Sequence, residues 1–166
     1  WTMQSNYHNL PIINGIPQSF GSRYKATKVS FDPNRMTFTA DIATAYPEEA
    51  GVNSWVRSYT LNKNKGELKI KDSFSLRERK EPDQVNFLTW GKVDVSSAGI
   101  IRIEVNGEKV DLLYDKKQFT PSVETITLED PRLSNVWGKE IYRLSLNAVK
   151  TAMSGTYVFT IKQNNK

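Results

Sequence analysis

The sequence predicts an all-β protein, an antiparallel two-sheet β-sandwich of about ten or more strands. Three observations predict it. Apolar residues recur with period two in run after run, turn residues separate the runs, and no long segment carries a helical period. Alternation of this kind buries one face of each strand and leaves the other wet. Many such strands on short turns must stack as two sheets or close on themselves.

The runs follow in order. Val29 and Phe31 alternate with polar neighbours, as do Met36, Phe38, Ala40 and Ile42, with Asp32-Pro33-Asn34 as the turn between them. Asn62-Lys63-Asn64-Lys65-Gly66 links the run ending at Leu61 to Leu68, Ile70 and Phe74. Ile101, Ile103 and Val105 alternate with Arg102 and Glu104, and Asn106-Gly107 then leads to Val110, Leu112 and Tyr114. Asn-Gly between alternating segments is a strong hairpin signal, because both central residues of that turn need positive φ. Tyr142, Leu144 and Leu146 form a further run, and Met153-Ser154-Gly155-Thr156 precedes a last one through Tyr157, Phe159 and Ile161. Pro47-Glu48-Glu49-Ala50-Gly51 reads as a Pro-initiated helical turn stopped by Gly. The stretch from Leu146 to Ala152 reads as another short turn, and Asp130-Pro131 and Glu81-Pro82 as loops. Residues 1–166 show no break in composition and no repeat of fixed period, which predicts a single domain.

Composition narrows the chemistry. Lys and Arg number 23, Asp and Glu 18, a net charge of +5, with one His and no Cys. Disulfides and catalytic thiols are excluded, and a three-histidine metal site cannot be built from this chain. No window holds the ~20 apolar residues that a membrane-spanning helix needs. The chain opens at Trp1 without a leader pattern, which suggests a piece of a longer chain. The missing cysteines fit a periplasmic or surface protein. The modest positive charge reads either as a solvated surface or as attraction to a polyanion.

His8 can act as acid, base or metal ligand, and Tyr7 and Asn9 flank it with hydrogen-bonding groups. Trp55 lies inside a strand pattern and reads as core. Trp90-Gly91 and Trp137-Gly138 each precede a turn glycine and are candidates for exposure, where an indole face can cover the apolar side of a pyranose. The segment from Lys63 to Lys80 is the most basic, with Glu67, Asp72, Glu78 and Glu81 diluting its field. Lys69 and Lys71 share a strand parity that points to solvent. Arg102 and Glu104 read as a surface pair. Phosphate-binding loops, nucleophile elbows, EF-hand loops and RNA-binding aromatic motifs do not occur.

Ser5-Asn6-Tyr7-His8-Asn9-Leu10-Pro11-Ile12-Ile13-Asn14-Gly15 resembles the His-Asn element of the heparinase II/III-like polysaccharide lyases, in which an apolar strand and an Asn-Gly or Asp-Gly turn follow. The run Trp55-Val56-Arg57-Ser58-Tyr59-Thr60-Leu61, leading to Leu68-Lys69-Ile70-Lys71-Asp72-Ser73-Phe74, is similar to the family's strand pair ending in apolar-Asp-x-Phe. The resemblance extends along nearly the whole chain in strand order.

The resemblance implies a C-terminal β-sandwich domain of a bacterial periplasmic or secreted lyase. Such enzymes join an N-terminal α/α toroid to antiparallel sheets and cleave uronic-acid polysaccharides by β-elimination. A donor neutralises the uronate carboxylate, a His or Tyr removes the adjacent proton, and an acid protonates the leaving oxygen. The sandwich is expected to support the toroid and complete its cleft, so the implied partners are an acidic polysaccharide (a uronan or glycosaminoglycan) and the toroid of the same parent chain. Some members hold a structural zinc at the junction. His8 matches the family's histidine, as a zinc ligand that would need further ligands from outside this chain or as a site-supporting residue, with Tyr7 and Asn9 as supports. Toroid and catalytic residues are missing here, so the piece is expected to be inactive alone, without a cofactor of its own. The competing expectation is a stand-alone carbohydrate-binding or adhesion sandwich. Nucleic acid is not an expected partner.

Overall fold

The computed structural model describes residues 1–164. Twelve strands among them form two antiparallel sheets, so the β-sandwich predicted by the alternation is the fold. The smaller sheet runs β1 (Pro11–Ile12), β6 (Gln84–Thr89), β11 (Glu140–Ala148), β10 (Phe119–Thr127). The larger runs β2 (Thr27–Asp32), β3 (Thr37–Asp41), β4 (Val52–Asn62), β5 (Glu67–Leu76), β12 (Ser154–Gln163), β9 (Glu108–Tyr114), β8 (Ile100–Val105), β7 (Lys92–Ser97).

The turns form where their residues direct. Asn106 and Gly107 take φ of 52° and 85°, the double left-handed turn a tight hairpin requires. Asn62 accepts from the Lys65 amide at 3.2 Å and caps the single helical turn between β4 and β5. Pro47 likewise precedes one turn, Glu48–Ala50.

Aromatic rings stack between the sheets. Trp55 lies 4.8 Å from Phe74, Phe74 4.7 Å from Tyr157, and Tyr157 4.8 Å from Phe119, ring centre to ring centre. Phe159 continues the chain to Phe87 of the smaller sheet at 5.5 Å. Gly155 opposes Phe74 in the strand register, and a Cβ there would meet the Phe74 ring at 3.0 Å, so the absent side chain is what lets this ring lie flat under β12. Val85, Leu144 and Leu146 are fully buried against these rings. Each large side chain so buried is worth about 1.5–3 kcal/mol. The larger sheet overhangs the smaller. Phe31 and Phe38 share the cross-strand row of Ile70 and Phe159, yet they stand exposed past its edge.

Four local readings are corrected. Leu146–Ala148 is the end of β11, buried by the core, and not a turn. Asp130 is an N-cap, accepting from the Arg132 amide at 2.9 Å, and opens a helix α1 (Pro131–Trp137) where a loop was expected. Seven residues are too few to display a helical period. Arg102 and Glu104 do not pair with each other. Each faces the neighbouring strand, Arg102 toward Asp111 at 3.9 Å and Glu104 toward Lys109 at 3.7 Å. Asp72 does not dilute a surface field, because it lies on the buried parity of β5 and is fully sealed.

Candidate functional site

The N-terminal segment closes one open edge of the sandwich. The short strand β1 pairs with β6 through Pro11 and Ile12, and the Leu10 carbonyl still accepts from the Asn86 amide at 3.1 Å. Beyond that point the side chain takes over. Asn9 Oδ1 accepts from the Leu88 amide at 2.7 Å, so the residue before the strand satisfies the next free donor on the β6 edge. The Asn9 carbonyl turns toward the larger sheet and accepts from Arg57 Nη1 at 2.8 Å.

Arg57 is buried and spends its other nitrogens on Asp72. Nε and Nη2 donate to Oδ1 and Oδ2 at 2.7 and 2.6 Å, a two-pronged pair with both side chains sealed from water. Burial opposes the guanidinium charge, but Asp72 beside it more than compensates and holds its pKa above the ordinary value. A buried pair of this kind adds little net stability, because desolvation offsets the attraction. Its geometry fixes the backbone one residue beyond His8. Nearby, Asp83 Oδ2 accepts from the Tyr157 hydroxyl at 3.0 Å, and burial pushes the Asp83 carboxyl up to about 6.

The segment ahead of Asn9 lies on the outer face of the smaller sheet. Asn86 Nδ2 donates to the Asn6 carbonyl at 3.3 Å. Arg143 lies over the Tyr7 ring, 4.6 Å from its centre, and pairs with Glu124 at 2.7 Å. Trp1 meets Tyr7 edge-on at 5.2 Å. His8 is exposed, and its Nε2 reaches the Thr2 carbonyl at 3.1 Å.

These contacts build one wall of a cleft of about 520 Å³. Leu88 and Ile141 of the smaller sheet line it, together with Trp1, Tyr7 and His8 of the leading segment and with Trp90 and Trp137. Three of the four tryptophans therefore line the same cleft as His8, exposed by 44% (Trp1), 45% (Trp90) and 49% (Trp137), whereas Trp55 is wholly buried. A second hollow beside the same segment is lined by Met3, Ile12, Pro17 and Phe20. Met3 and Phe20 are bare, exposed by 92% and 96%.

The sequence-read residues thus come together unevenly. Tyr7, His8 and Asn9 all line the cleft, with Asn9 and Tyr7 holding the segment through Leu88 and Arg143. Trp90 and Trp137 join them, while the basic segment 63–80 contributes nothing to the lining. Arg57, Arg143, Leu88 and helix α1 were missed. Parity did mark Arg57, which shares the face of Trp55, a position where a charge needs a buried partner. The described residues do not build a zinc site, for no group of three His, Cys, Asp or Glu side chains converges among them. His8 supplies a single ligand position, and one ligand does not make a site.

A two-sheet sandwich whose leading segment folds across the edge of the smaller sheet is the class of domain this geometry defines. The same fold occurs within solved lyase structures. A heparan sulfate lyase HepC mutant from Pedobacter heparinus matches with a TM-score of 0.69 at 12% identity, over 100% of this chain and 25% of that one. A heparinase III matches with a TM-score of 0.70 at 13% identity, again over 100% of this chain and 25% of the other. The chain therefore has the fold of a quarter-length part of these lyases. No protein-family model and no curated protein sequence matches it.

Proposed function

We propose that this chain is the β-sandwich domain of a larger heparinase-like lyase acting on uronic-acid polysaccharides, and that its His8 cleft completes the substrate channel of a toroid domain. The observation that carries the reading is the convergence of His8 with three half-exposed indoles, on a fold shared end to end with part of two heparan sulfate or heparin lyases. Indole faces cover the apolar side of a pyranose, and an imidazole at the same wall can donate to or accept from the sugar. Met3 and Phe20 suit burial against another domain, since large side chains this bare on a single face mark an interaction surface. Tyr7 and Asn9 act by holding the backbone that presents His8. A zinc at this junction would need its remaining ligands from outside the chain.

Incubation with heparan sulfate and alginate, followed by ultraviolet absorbance of the unsaturated product, tests the division of labour. The chain alone should give no turnover, and robust turnover would refute the domain reading. In the parent enzyme His8→Ala should lower kcat/KM by about a hundredfold, in the range of a lost acid-base or oriented group. An unchanged kcat/KM removes His8 from the site. The second reading, a free-standing carbohydrate-binding sandwich, is favoured by the three indoles that this chain brings to the cleft by itself. It requires full sugar affinity without a toroid.

A further inference from the structure

Asn-Gly occurs twice in the chain, at Asn14-Gly15 and at Asn106-Gly107. Both pairs are the central residues of a two-residue hairpin turn. Ile13 and Ile16 exchange backbone hydrogen bonds at 3.1 and 2.8 Å around the first, and Val105 opposes Glu108 around the second. The backbone angles nearly coincide, with φ of 52° and 77° at Asn14 and Gly15 and of 52° and 85° at Asn106 and Gly107. The same dipeptide thus stands twice in the same local conformation, and only its surroundings differ.

Asn14 is held at both ends of its side-chain amide. It is 3% exposed, Nδ2 donates to the Ala50 and Glu78 carbonyls at 2.9 and 3.0 Å, and Oδ1 accepts from the Lys80 amide at 2.9 Å. The Glu81 carboxylate crowds Gly15 so closely that a Cβ there would lie 2.5 Å from Oε2. Asn106 has no counterpart to these three bonds among the described residues, and it stands exposed. Gly107 faces open space, where a Cβ would meet no atom within 4 Å. The Asn106 amide is therefore free to turn toward the backbone nitrogen that follows it, and water reaches both. Glycine leaves that nitrogen unshielded, because it carries no side chain.

We propose that Asn106 is a site of spontaneous deamidation, and that the fold protects Asn14 from the same reaction. The Gly107 amide gives its proton to a solvent base, and its nitrogen attacks Cγ of Asn106. The new C–N bond closes a five-membered succinimide as the Cγ–Nδ2 bond breaks, and Nδ2 takes up a proton and leaves as ammonia. Water then opens the ring, at Cγ to give aspartate or at the main-chain carbonyl carbon to give isoaspartate. Either product places a carboxylate in a groove of about 400 Å³ that Asn106 shares with Lys92, Lys139, Glu104 and Glu140. Lysines and glutamates balance there, so the reaction tips the groove to net acidic. Isoaspartate also adds a methylene to the main chain of a two-residue turn, which breaks the opposition of Val105 and Glu108.

Incubation of the folded chain in mildly alkaline buffer, followed by proteolytic digestion and peptide mass analysis with isoaspartate detection, tests this. The peptide carrying residue 106 should convert at least about tenfold faster than the one carrying residue 14, which reacts only through opening of the fold. The rate at residue 106 should climb with pH, because the Gly107 nitrogen must lose its proton before it attacks. In denaturant both sites should convert at similar rates, since each Asn is then followed by an unrestrained Gly. A folded chain that converts both residues equally overturns the protection, and one that leaves residue 106 intact overturns the site. A denatured chain in which residue 14 still lags would place its protection in the local sequence and overturn the role of the fold.

Discussion

The two faces of the smaller sheet are made from the same strands and do opposite work. Toward the larger sheet, Val85, Phe87, Leu144 and Leu146 are buried in a dry aromatic core. On the other face, at the intervening positions, Asn86 and Arg143 carry the leading segment through a hydrogen bond to the Asn6 carbonyl and a cation–ring contact with Tyr7, Ser145 donates to Asn86, and the Leu88 amide on the strand edge donates to Asn9. The inner face is held by area and packing, which tolerate no gap. The outer face is held by a few directed contacts, which set where the segment carrying Trp1 and His8 stands. The difference teaches that stability and cleft geometry are separable in this domain, because alternate residues of one strand answer for each.

The largest effect should come from the inner face. Leu144→Ala removes a fully buried side chain from between the sheets and should cost about 2–5 kcal/mol, read from the denaturation midpoint. A loss below about 1 kcal/mol would mean that the sheets close over the gap, and the contrast between faces would weaken.

Asp83 is one of several buried polar side chains and gives an intermediate effect. Its carboxyl titrates at about 6 in the folded protein, because burial disfavours the anion, against an unfolded value of ~3.9. The folded state thus holds its proton more tightly than the unfolded one. The contribution of this group is fully present below the unfolded value and is lost as pH rises through about 6. Asp83→Asn keeps an acceptor for the Tyr157 hydroxyl and removes the buried charge. It should raise stability at neutral pH by about 1–2 kcal/mol and flatten the pH profile between the two values. A profile that keeps its slope would place the titration on another group.

What could be read from the sequence follows the same division. Strands with one wet face announce themselves, so the alternating runs around Phe38, Ile70, Ile103, Leu144 and Phe159 were legible, and Trp55 could be placed in the core by parity alone. Leu146–Ala148 was misread because Asn147 and the polar stretch after it resemble a turn. In the fold, Asn147 sits on the outer face and donates to Thr120 and Ser122 across the strand pair. Helix α1 was too short for a period to emerge. The cleft was half visible. Tyr7, His8 and Asn9 stood together in sequence, but their meeting with Trp90 and Trp137 depends on β6 and α1 coming from distant parts of the chain. The Arg57–Asp72 pair was hidden for the same reason. Its members lie on neighbouring strands, opposed by a register that only the β4–β5 hairpin establishes.

Arg143 probes the outer face and should give the smallest effect on stability. Its side chain touches Tyr7, the Asn6 carbonyl and Glu124 and contributes no packing to the core between the sheets. Arg143→Ala gives up a partly exposed cation–ring contact and a partly exposed ion pair, together worth about 1 kcal/mol. The same change releases Tyr7, on which Trp1 leans. The Trp1 indole resonance should therefore shift and broaden while those of Trp55 and the core methyl groups stay in place. Should the loss instead rival that of Leu144→Ala, the outer face would be a second core, and the leading segment would be part of what folds the domain as well as what shapes its cleft.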